Sequence, residues 1–207
     1  MLELIVQILS LTENSADKIF SLASDILEKG GIIAYPTESF YALGVLAADE
    51  DAVRKLFELK KRQADKPLPL IVGDMDTLLS IVKMVPDQAG ELINTYWPGP
   101  LTLLFEANEK ISLLLTGGTG KVAVRIPGES TALDLAKSLK LPITATSANL
   151  SARPPAVNAV SVIEYFGNTV DLIIDAGGAP GGRPSTILDV TVTPPRILRE
   201  GRVILDV

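Results

Sequence analysis

Hydrophobic and polar positions alternate along the chain in two periods, one typical of helices and one of buried strands. In residues 15–29 the apolar positions recur every three or four residues, which predicts an amphipathic helix. Its apolar face consists of Ile19, Leu22, Ala23, Ile26 and Leu27. Asn14 or Ser15 is a suitable N-cap, and Gly30 follows the end of the pattern. Residues 31–35, GIIAY, then predict a buried strand.

The same two patterns continue to the end of the chain. Further helices are predicted at 50–62, 74–84, 86–97, 129–140 and 159–167. Further strands are predicted at 1–11, 68–72, 101–107, 121–127, 171–177, 185–191 and 196–201, and residues 141–149 predict a strand that runs into a loop. The helix at 50–62 should bury Val53, Leu56, Phe57 and the stem of Lys60. Strands interleaved with helices predict an α/β fold, and the strand-rich tail indicates a mixed rather than purely parallel sheet.

Composition narrows the class of protein. The 207 residues are 47% hydrophobic, enough for a sizeable core, and we expect one domain over residues 1–207. The longest apolar stretches have five to seven residues, whereas a membrane span needs ~18–20. Because the start lacks a basic leader and cysteine is absent, we expect a cytoplasmic protein without a membrane anchor.

The absence of histidine and cysteine excludes several kinds of site. A Ser-His-Asp triad, a thiolate nucleophile and a His- or Cys-based zinc site are impossible. Chemistry must therefore use carboxylates, hydroxyls, Lys, Arg, backbone amides, or Mg²⁺ brought in by phosphate groups. The net charge of −6 argues against binding nucleic acid through bulk electrostatics, so an anion site has to be a local basic cluster.

One such cluster lies between residues 54 and 66. It holds six cationic and two acidic side chains. The cations are Arg54, Lys55, Lys60, Lys61, Arg62 and Lys66. A solvated helix face is one interpretation of this run. The other starts from Pro67, which forces an extended backbone and leaves Lys60, Arg62 and Lys66 near a helix end, where they could converge on a polyphosphate.

Polar side chains also follow two buried strands. Residues 36–44, PTESFYALG, place three hydroxyls directly after a strand, although a simple turn would favour Gly, Asn and Asp. Residues 144–149, TATSAN, are either a ligand-binding strand end or a polar turn capped by Asn149. Arg125 ends the apolar strand at 121–127 and must find an anion, from an internal carboxylate or from a ligand.

Two glycine-rich segments resemble phosphate loops only superficially. Residues 116–121, TGGTGK, lack the required glycine at 115 and the hydroxyl at 122, and a strand follows them. Residues 177–184, GGAPGGRP, also precede a strand, so they form a flexible loop or a lid over a substrate. The WPGP at 97–100 indicates a large apolar anchor and a rigid turn.

Taken in order, these short motifs resemble the YrdC-like family of threonylcarbamoyl-adenylate synthases over about residues 15–203. They are PTES-x-Y-x-LG (36–44), K-x-R-x₃-KPL (60–68), WPGPLT (97–102), VAVRIP (122–127), TSAN (146–149), PSTILD (184–189) and ILREG (197–201). The resemblance implies a twisted, open, mixed and largely parallel sheet with flanking helices and a concave, locally basic cavity. It also implies the single-domain form of the family.

The activity implied by this resemblance joins L-threonine, bicarbonate and ATP into threonylcarbamoyl-adenylate and pyrophosphate. Mg²⁺ would be held through the ATP phosphates, without protein metal ligands. A separate transferase complex would move the product to the tRNA adenosine beside the anticodon, and direct tRNA binding would be weak or absent.

The resemblance assigns roles residue by residue. Lys60 and Arg62 would be catalytic and would hold the phosphates together with Lys66. Threonine and bicarbonate would contact Thr37, Tyr41, Arg125 and Ser185. Ser147, Asn149 and Arg199 would contact the nucleotide. The histidine that some members carry after the KPL strand is missing, which affects how threonine is recognised. Two alternatives stay open: an RNA-binding module that uses the basic face, and a regulatory domain that binds a nucleotide without turnover.

Overall fold

The computed structural model describes residues 6–63 and 65–206, in which eleven strands and seven α-helices follow one another along the chain. The helices are α1 (Ala16–Glu28), α2 (Glu50–Lys60), α3 (Met75–Leu79), α4 (Asp87–Tyr96), α5 (Leu113–Thr116), α6 (Thr131–Leu139) and α7 (Ala159–Phe166). The strands are β1 (Gln7–Ser10), β2 (Ile33–Pro36), β3 (Tyr41–Gly44), β4 (Leu70–Ile71), β5 (Leu101–Glu106), β6 (Lys121–Arg125), β7 (Ile143–Thr144), β8 (Thr146–Ser147), β9 (Leu172–Asp175), β10 (Thr186–Asp189) and β11 (Arg196–Arg199).

The strands form two mixed sheets. The first has the order β1-β9-β2-β3-β8, and the second has the order β11-β10-β5-β6-β4-β7. The predicted α/β class with mixed pairing is confirmed. The prediction of a single, largely parallel sheet is wrong, because four strand pairs in the described part of the chain are parallel and five are antiparallel.

A hairpin missed by the sequence analysis accounts for part of this difference. Residues 36–44 hold the turn and the second strand of this hairpin. They turn through 37–40 and return as β3, with Pro36 paired to Tyr41. All four residues of β3 are buried, so no alternation of polar and apolar positions marks the strand.

The segment 141–149, predicted as a strand that runs into a loop, divides between the two sheets. Its first part, β7, pairs with β4 in the second sheet, and its second part, β8, pairs with β3 in the first. Ala145 lies between them and donates its backbone N–H to the carbonyl of Pro69 at 2.8 Å. The polar residues of the TSAN motif therefore lie where the two sheets meet.

The helices cover the sheets with the faces that their sequences predict. Helix α1 buries Ile19, Phe20, Ala23 and Leu27, whereas the predicted Leu22 and Ile26 are only half-buried. Helix α2 buries Val53, Leu56, Phe57 and the whole of Lys60. Burial of these apolar faces stabilises the fold by roughly 25 cal/mol for each Å² removed from water.

The ends of the elements bear on the site and on the predictions. Asp49 is the N-cap of α2, and its side chain accepts a hydrogen bond from the backbone N–H of Ala52. The helix ends before Lys61, whose backbone is left-handed at φ 51°. Arg62 therefore lies just outside the helix predicted to contain it.

Helix α3 is shorter than predicted and α5 was not predicted. The first five residues of the strand predicted at 1–11 lie outside the described residues. Within the described ranges, no helix combines the length and the apolar character that crossing a membrane demands.

Candidate active site

A cavity of about 430 Å³ opens where the two sheets meet. Its wall is formed by the 37–40 turn, by β3, by the β7–β8 segment, and by residues at the ends of β5, β6 and β11. Three arginines line it, and its described lining residues include no carboxylate. A larger hollow of about 520 Å³ lies between the ends of α1 and α2, but it holds none of the predicted site residues.

The structure brings seven of the ten predicted site residues to the cavity wall. They are Thr37, Tyr41, Arg62, Arg125, Ser147, Ser185 and Arg199. Lys60, Lys66 and Asn149 do not line it. The predicted convergence of Lys60, Arg62 and Lys66 on one anion is therefore not present in the structure, where Arg62 alone of these three faces the cavity.

Arg125 lies at the end of β6 and is only 8% exposed. Its Nη1 donates to Oε1 of Glu38, and both side chains are almost completely buried. The second carboxylate oxygen of Glu38 is buried and has no hydrogen-bond partner among the described residues. The anion that the sequence demands for Arg125 is thus an internal carboxylate, and the remaining N–H groups of its guanidinium make no hydrogen bond to a described residue. Its contact with a substrate carboxylate stays a prediction.

Arg199 turns from the exposed strand β11 towards the start of β10. Its Nη2 donates to the carbonyl oxygen of Ser185 at 2.8 Å and to the hydroxyl of Ser185 at 3.0 Å. Burial, and then the positive charge of Arg125, lower the pKa of Arg199. Arg199 therefore lies beside Ser185, one of the residues assigned to the amino acid, while its contact with the nucleotide stays a prediction.

Thr102 is a wall residue that the sequence analysis did not select. It is buried in β5, and its hydroxyl lies 2.9 Å from the hydroxyl of Ser185, where either group can donate. The signal available in the sequence was a single hydroxyl inside the apolar strand LTLLF. A buried hydroxyl needs a hydrogen-bond partner. A hydroxyl such as that of Thr102, at the end of a buried strand, is therefore a candidate binding-site residue.

Arg62 is held on the cavity wall by the chain that follows it. Its Nη2 donates to the carbonyl of Pro67 at 2.9 Å, and its Nε donates to the carbonyl of Lys66 at 3.3 Å. Burial lowers its pKa, and the charge of Asp65 opposes this shift. The exposed side chain of Lys66 is not on the wall, so Lys66 supports Arg62 through its backbone.

Lys60 is 3% exposed and points into the protein. Its Nζ donates to the carbonyl oxygens of Ser147 and, at 2.8 Å, of Asn149. Burial, and then the charge of Arg62, lower the pKa of Lys60 to about 8. The lysine of the K-x-R motif thus supports the segment that carries Ser147.

Asn149 forms the capped polar turn that was one of the two interpretations of TATSAN. Its Nδ2 donates to the carbonyls of Arg153 at 2.6 Å and Leu150 at 3.1 Å. Its Oδ1 accepts from the hydroxyl of Ser147 at 2.5 Å. Ser147 is the member of this motif that also lies on the cavity wall.

The hydroxyls of PTESFYALG shape the wall as well as lining it. Thr37 Oγ1 donates to the carbonyl of Phe40 at 2.8 Å and accepts the backbone N–H groups of Ser39 and Phe40 at 3.2 Å. The hydroxyl of Thr37 thus closes a turn that contains no Gly, Asn or Asp.

Tyr41 connects the hairpin to the glycine-rich loop. Its hydroxyl donates to the carbonyl of Gly177 at 2.8 Å and lies 3.2 Å from Oδ1 of Asp175. Burial, and then the charge of Asp175, raise the pKa of Tyr41. The N–H of Gly181 donates to the carbonyl of Ser39 at 2.7 Å, so the loop is fastened to the hairpin at two points. Movement of residues 177–184 as a lid stays a prediction.

Comparison with known proteins agrees with this arrangement. The Sua5/YciO/YrdC family model, described as telomere recombination, matches residues 25–201. The threonylcarbamoyl-AMP synthase of Pyrococcus abyssi is 38% identical over 96% of this chain and 58% of its own length. That of Idiomarina loihiensis is 39% identical over 78% of this chain and 88% of its own length.

The fold comparison gives the same result. A crystal structure of P. abyssi Sua5 complexed with L-threonine has a TM-score of 0.88 and 38% identity, covering 95% of this chain and 57% of that one. The chain thus spans somewhat more than half the length of the P. abyssi protein. Since the family model covers most of the chain and the I. loihiensis synthase is matched over nearly all its length, this chain belongs to the Sua5/YciO/YrdC family.

Proposed function

We propose that this chain is a threonylcarbamoyl-AMP synthase, which forms threonylcarbamoyl-AMP and pyrophosphate from L-threonine, bicarbonate and ATP. The observation that carries the proposal is one cavity with three arginines, several hydroxyls and no carboxylate among its described lining residues. Such a wall suits a carboxylate and a polyphosphate together. Relatives named threonylcarbamoyl-AMP synthase, and the P. abyssi Sua5 structure complexed with L-threonine, support it.

Two parts of the cavity would receive the two larger substrates. Arg62 and Ser147 would bind ATP, with Arg62 at the phosphates. Arg125 and Ser185 would bind the carboxylate end of threonine, with Arg199 beside them. Thr37 and Tyr41 would complete the wall around threonine and bicarbonate. Lys60, Lys66 and Asn149 would act through the backbone segments and side chains that they hold.

The chemistry asks the chain mainly for positioning. The threonine amine and bicarbonate combine to a carbamate with loss of water, and a carbamate oxygen then attacks the α-phosphorus of ATP while pyrophosphate leaves. Arg62 would stabilise the negative charge that develops on the leaving group. Holding three reactants together replaces a strong side-chain base, so a chain without histidine suits this reaction.

Mg²⁺ would arrive with ATP. In the described ranges, no group of three or more His, Cys, Asp or Glu side chains is placed to hold a metal ion. A cavity wall of arginines and hydroxyls therefore fits an ion held by phosphate oxygens and water better than one held by the protein. The ion would neutralise phosphate charge alongside Arg62.

The product would pass to a separate transferase complex that modifies tRNA in the cytoplasm. The chain carries a net charge of −6, so its direct affinity for tRNA would be weak and would fall steeply with salt.

The test is pyrophosphate release from ATP and Mg²⁺, with L-threonine and bicarbonate each supplied or withheld. Release that requires both supports the synthase, and release without threonine contradicts it. Binding of ATP without pyrophosphate in any combination would instead identify a nucleotide-binding regulatory domain. Retention of tRNA at ~200 mM salt would favour the RNA-binding module.

A further inference from the structure

Glu38 contacts the cavity only through Arg125. It belongs to the 37–40 turn, its Oε1 accepts from Nη1 of Arg125, and its side chain is not part of the cavity wall. Arg125 lies between Glu38 and the cavity. The other donors of its guanidinium make no hydrogen bond to a described residue, so they are available to a ligand.

The formal charges of Arg125, Arg199 and Glu38 sum to one positive charge. Arg125 and Arg199 line the same cavity and are close enough for the first to lower the pKa of the second, and Glu38 is the carboxylate paired with Arg125. Arg202 also reaches the turn, but it does not line the cavity, and its guanidinium is bound to the backbone carbonyls of Glu38 and Gly181, both at 3.0 Å. The positive charges that line this part of the cavity are therefore those of Arg125 and Arg199.

The negative charge of Glu38 is poorly screened. Its side chain is 12% exposed, and its Oε2 is buried without a partner among the described residues. A buried carboxylate with few hydrogen-bond donors around it interacts strongly with the charges beside it, here that of Arg125. Removing it would leave Arg125 and Arg199 with two positive charges that no described carboxylate on the cavity wall offsets.

We propose that Glu38 determines which anion this part of the cavity accepts, by reducing the charge of the Arg125–Arg199 pair to one. One net positive charge matches a single carboxylate, whereas two would attract a dianionic phosphate group. This inference rests on the proposed function, because ATP brings phosphate groups into the cavity where the carboxylate must bind. Glu38 is thus a specificity-determining residue that acts through Arg125 without touching the substrate.

A purely structural role makes the opposite prediction. If Glu38 only fixed the position of Arg125, its neutralisation would weaken the binding of every anion. If Glu38 sets the charge, neutralisation strengthens the binding of phosphate. A gain of affinity is therefore the readout that separates the two roles.

The experiment titrates inorganic phosphate into wild type and Glu38→Gln by calorimetry, at about pH 8, where phosphate is largely dianionic. We expect phosphate to bind Glu38→Gln at least about tenfold more tightly than wild type, and to compete with L-threonine only in the variant. The double variant Glu38→Gln/Arg199→Gln restores one positive charge and should return phosphate affinity to the wild-type level. Glu50→Gln is the matched control, since Glu50 pairs with the exposed Arg54 away from the cavity.

Circular dichroism establishes that each variant is folded. Glu38→Ala, which removes the side chain together with its charge, repeats the test if the buried amide of the Gln variant prevents folding. Equal phosphate affinity in wild type and in the folded variant overturns the inference. The phosphate titration requires neither turnover nor threonine, so this result is independent of the pyrophosphate assay, whose failure would overturn the proposed function.

Discussion

Lys60 Nζ donates a hydrogen bond to the carbonyl oxygen of Asn149 at 2.8 Å, which ties the last residue of α2 to the loop after β8. A second bond from the same ammonium reaches the carbonyl of Ser147. The two acceptors are 89 and 87 residues away in the sequence. Lys60 therefore acts on the cavity by fixing the segment that presents Ser147.

Lys60→Met should weaken ATP binding by about tenfold, because the Ser147 and Asn149 carbonyls lose their shared donor and the segment shifts. Binding of pyrophosphate alone should change less than about twofold if Lys60 does not touch phosphate. Isothermal titration with each ligand measures both effects. The adjacent and exposed Lys61→Met serves as the control. A parallel loss of pyrophosphate affinity would restore the direct phosphate contact predicted from the sequence.

The lowered pKa of Lys60 predicts a pH dependence of stability. Between about 8 and the usual 10.5, the unfolded chain binds a proton at Lys60 that the folded protein does not. The free energy of unfolding contributed by this group therefore rises with pH through that window and is smallest below pH 8. Urea denaturation of wild type and Lys60→Met between about pH 8 and 10.5 isolates the contribution of Lys60 to the free energy of unfolding, because the other groups titrate in both proteins. A difference between the two that stays flat with pH would contradict the shift.

Local patterns in the sequence were sufficient to predict the helices near the cavity. The three-to-four spacing of apolar residues predicted α1 and α2 to within two residues at each end. The requirement that an arginine in an apolar strand find an anion correctly singled out Arg125. Both inferences depend on residues close together in the chain or on a single buried charge.

Features that depend on distant pairing were missed. The strand β3 lacks polar alternation, and the division of 141–149 between two sheets is decided by partners at β4 and β3. Lys60 was assigned to phosphate because it lies in a basic run at a helix end, and nothing near it in the sequence indicates the carbonyls that it binds. Glu38 was overlooked for the same reason, since Arg125 lies 87 residues away.

Arg62→Ala should lower the affinity for both ATP and pyrophosphate by about 10- to 100-fold, the range for losing hydrogen bonds between charged partners. The matched control is Arg54→Ala, from the same basic run. Arg54 is 56% exposed, pairs with Glu50 and does not line the cavity. The two variants separate the two interpretations of that run. Equal losses would mean that the run acts as a diffuse positive field rather than through Arg62.

Gly201 should not tolerate a side chain. A Cβ at this position would lie 2.4 Å from the carbonyl oxygen of Pro184 and 2.5 Å from the carbonyl carbon of Ser185. Gly201→Ala would therefore push away the backbone that carries Ser185, and should lower the free energy of unfolding by about 1–3 kcal/mol while weakening threonine binding.

Gly90→Ala is the contrasting substitution. Gly90 lies within α4, and a Cβ there has no neighbour within 4 Å. Alanine should raise the free energy of unfolding by about 0.5–1 kcal/mol and leave the cavity unchanged. Urea denaturation of both variants checks the two signs. Similar free energies of unfolding for the two variants would show that the backbone around Gly201 moves aside for the added Cβ without loss of stability.

Tyr41→Phe should loosen the glycine-rich loop. The hydroxyl is the donor to the carbonyl of Gly177 at 2.8 Å, and its removal leaves that oxygen without this partner, which costs about 1–3 kcal/mol. Hydrogen exchange should therefore speed up in residues 177–184, including the amide of Gly181, and the KM for threonine should rise because this loop forms part of the cavity wall.

Tyr165→Phe provides the matched control, because its hydroxyl also donates to a carbonyl, that of Pro154 at 3.0 Å, but at an exposed position outside the cavity wall. Water can replace that partner, so exchange in residues 177–184 and the KM for threonine should stay at the wild-type level. Unchanged exchange in Tyr41→Phe would mean that the bond from Gly181 to Ser39 holds the loop alone. Faster exchange would show that the hydroxyl of Tyr41 fastens the glycine-rich loop to the hairpin and so helps to build the cavity wall.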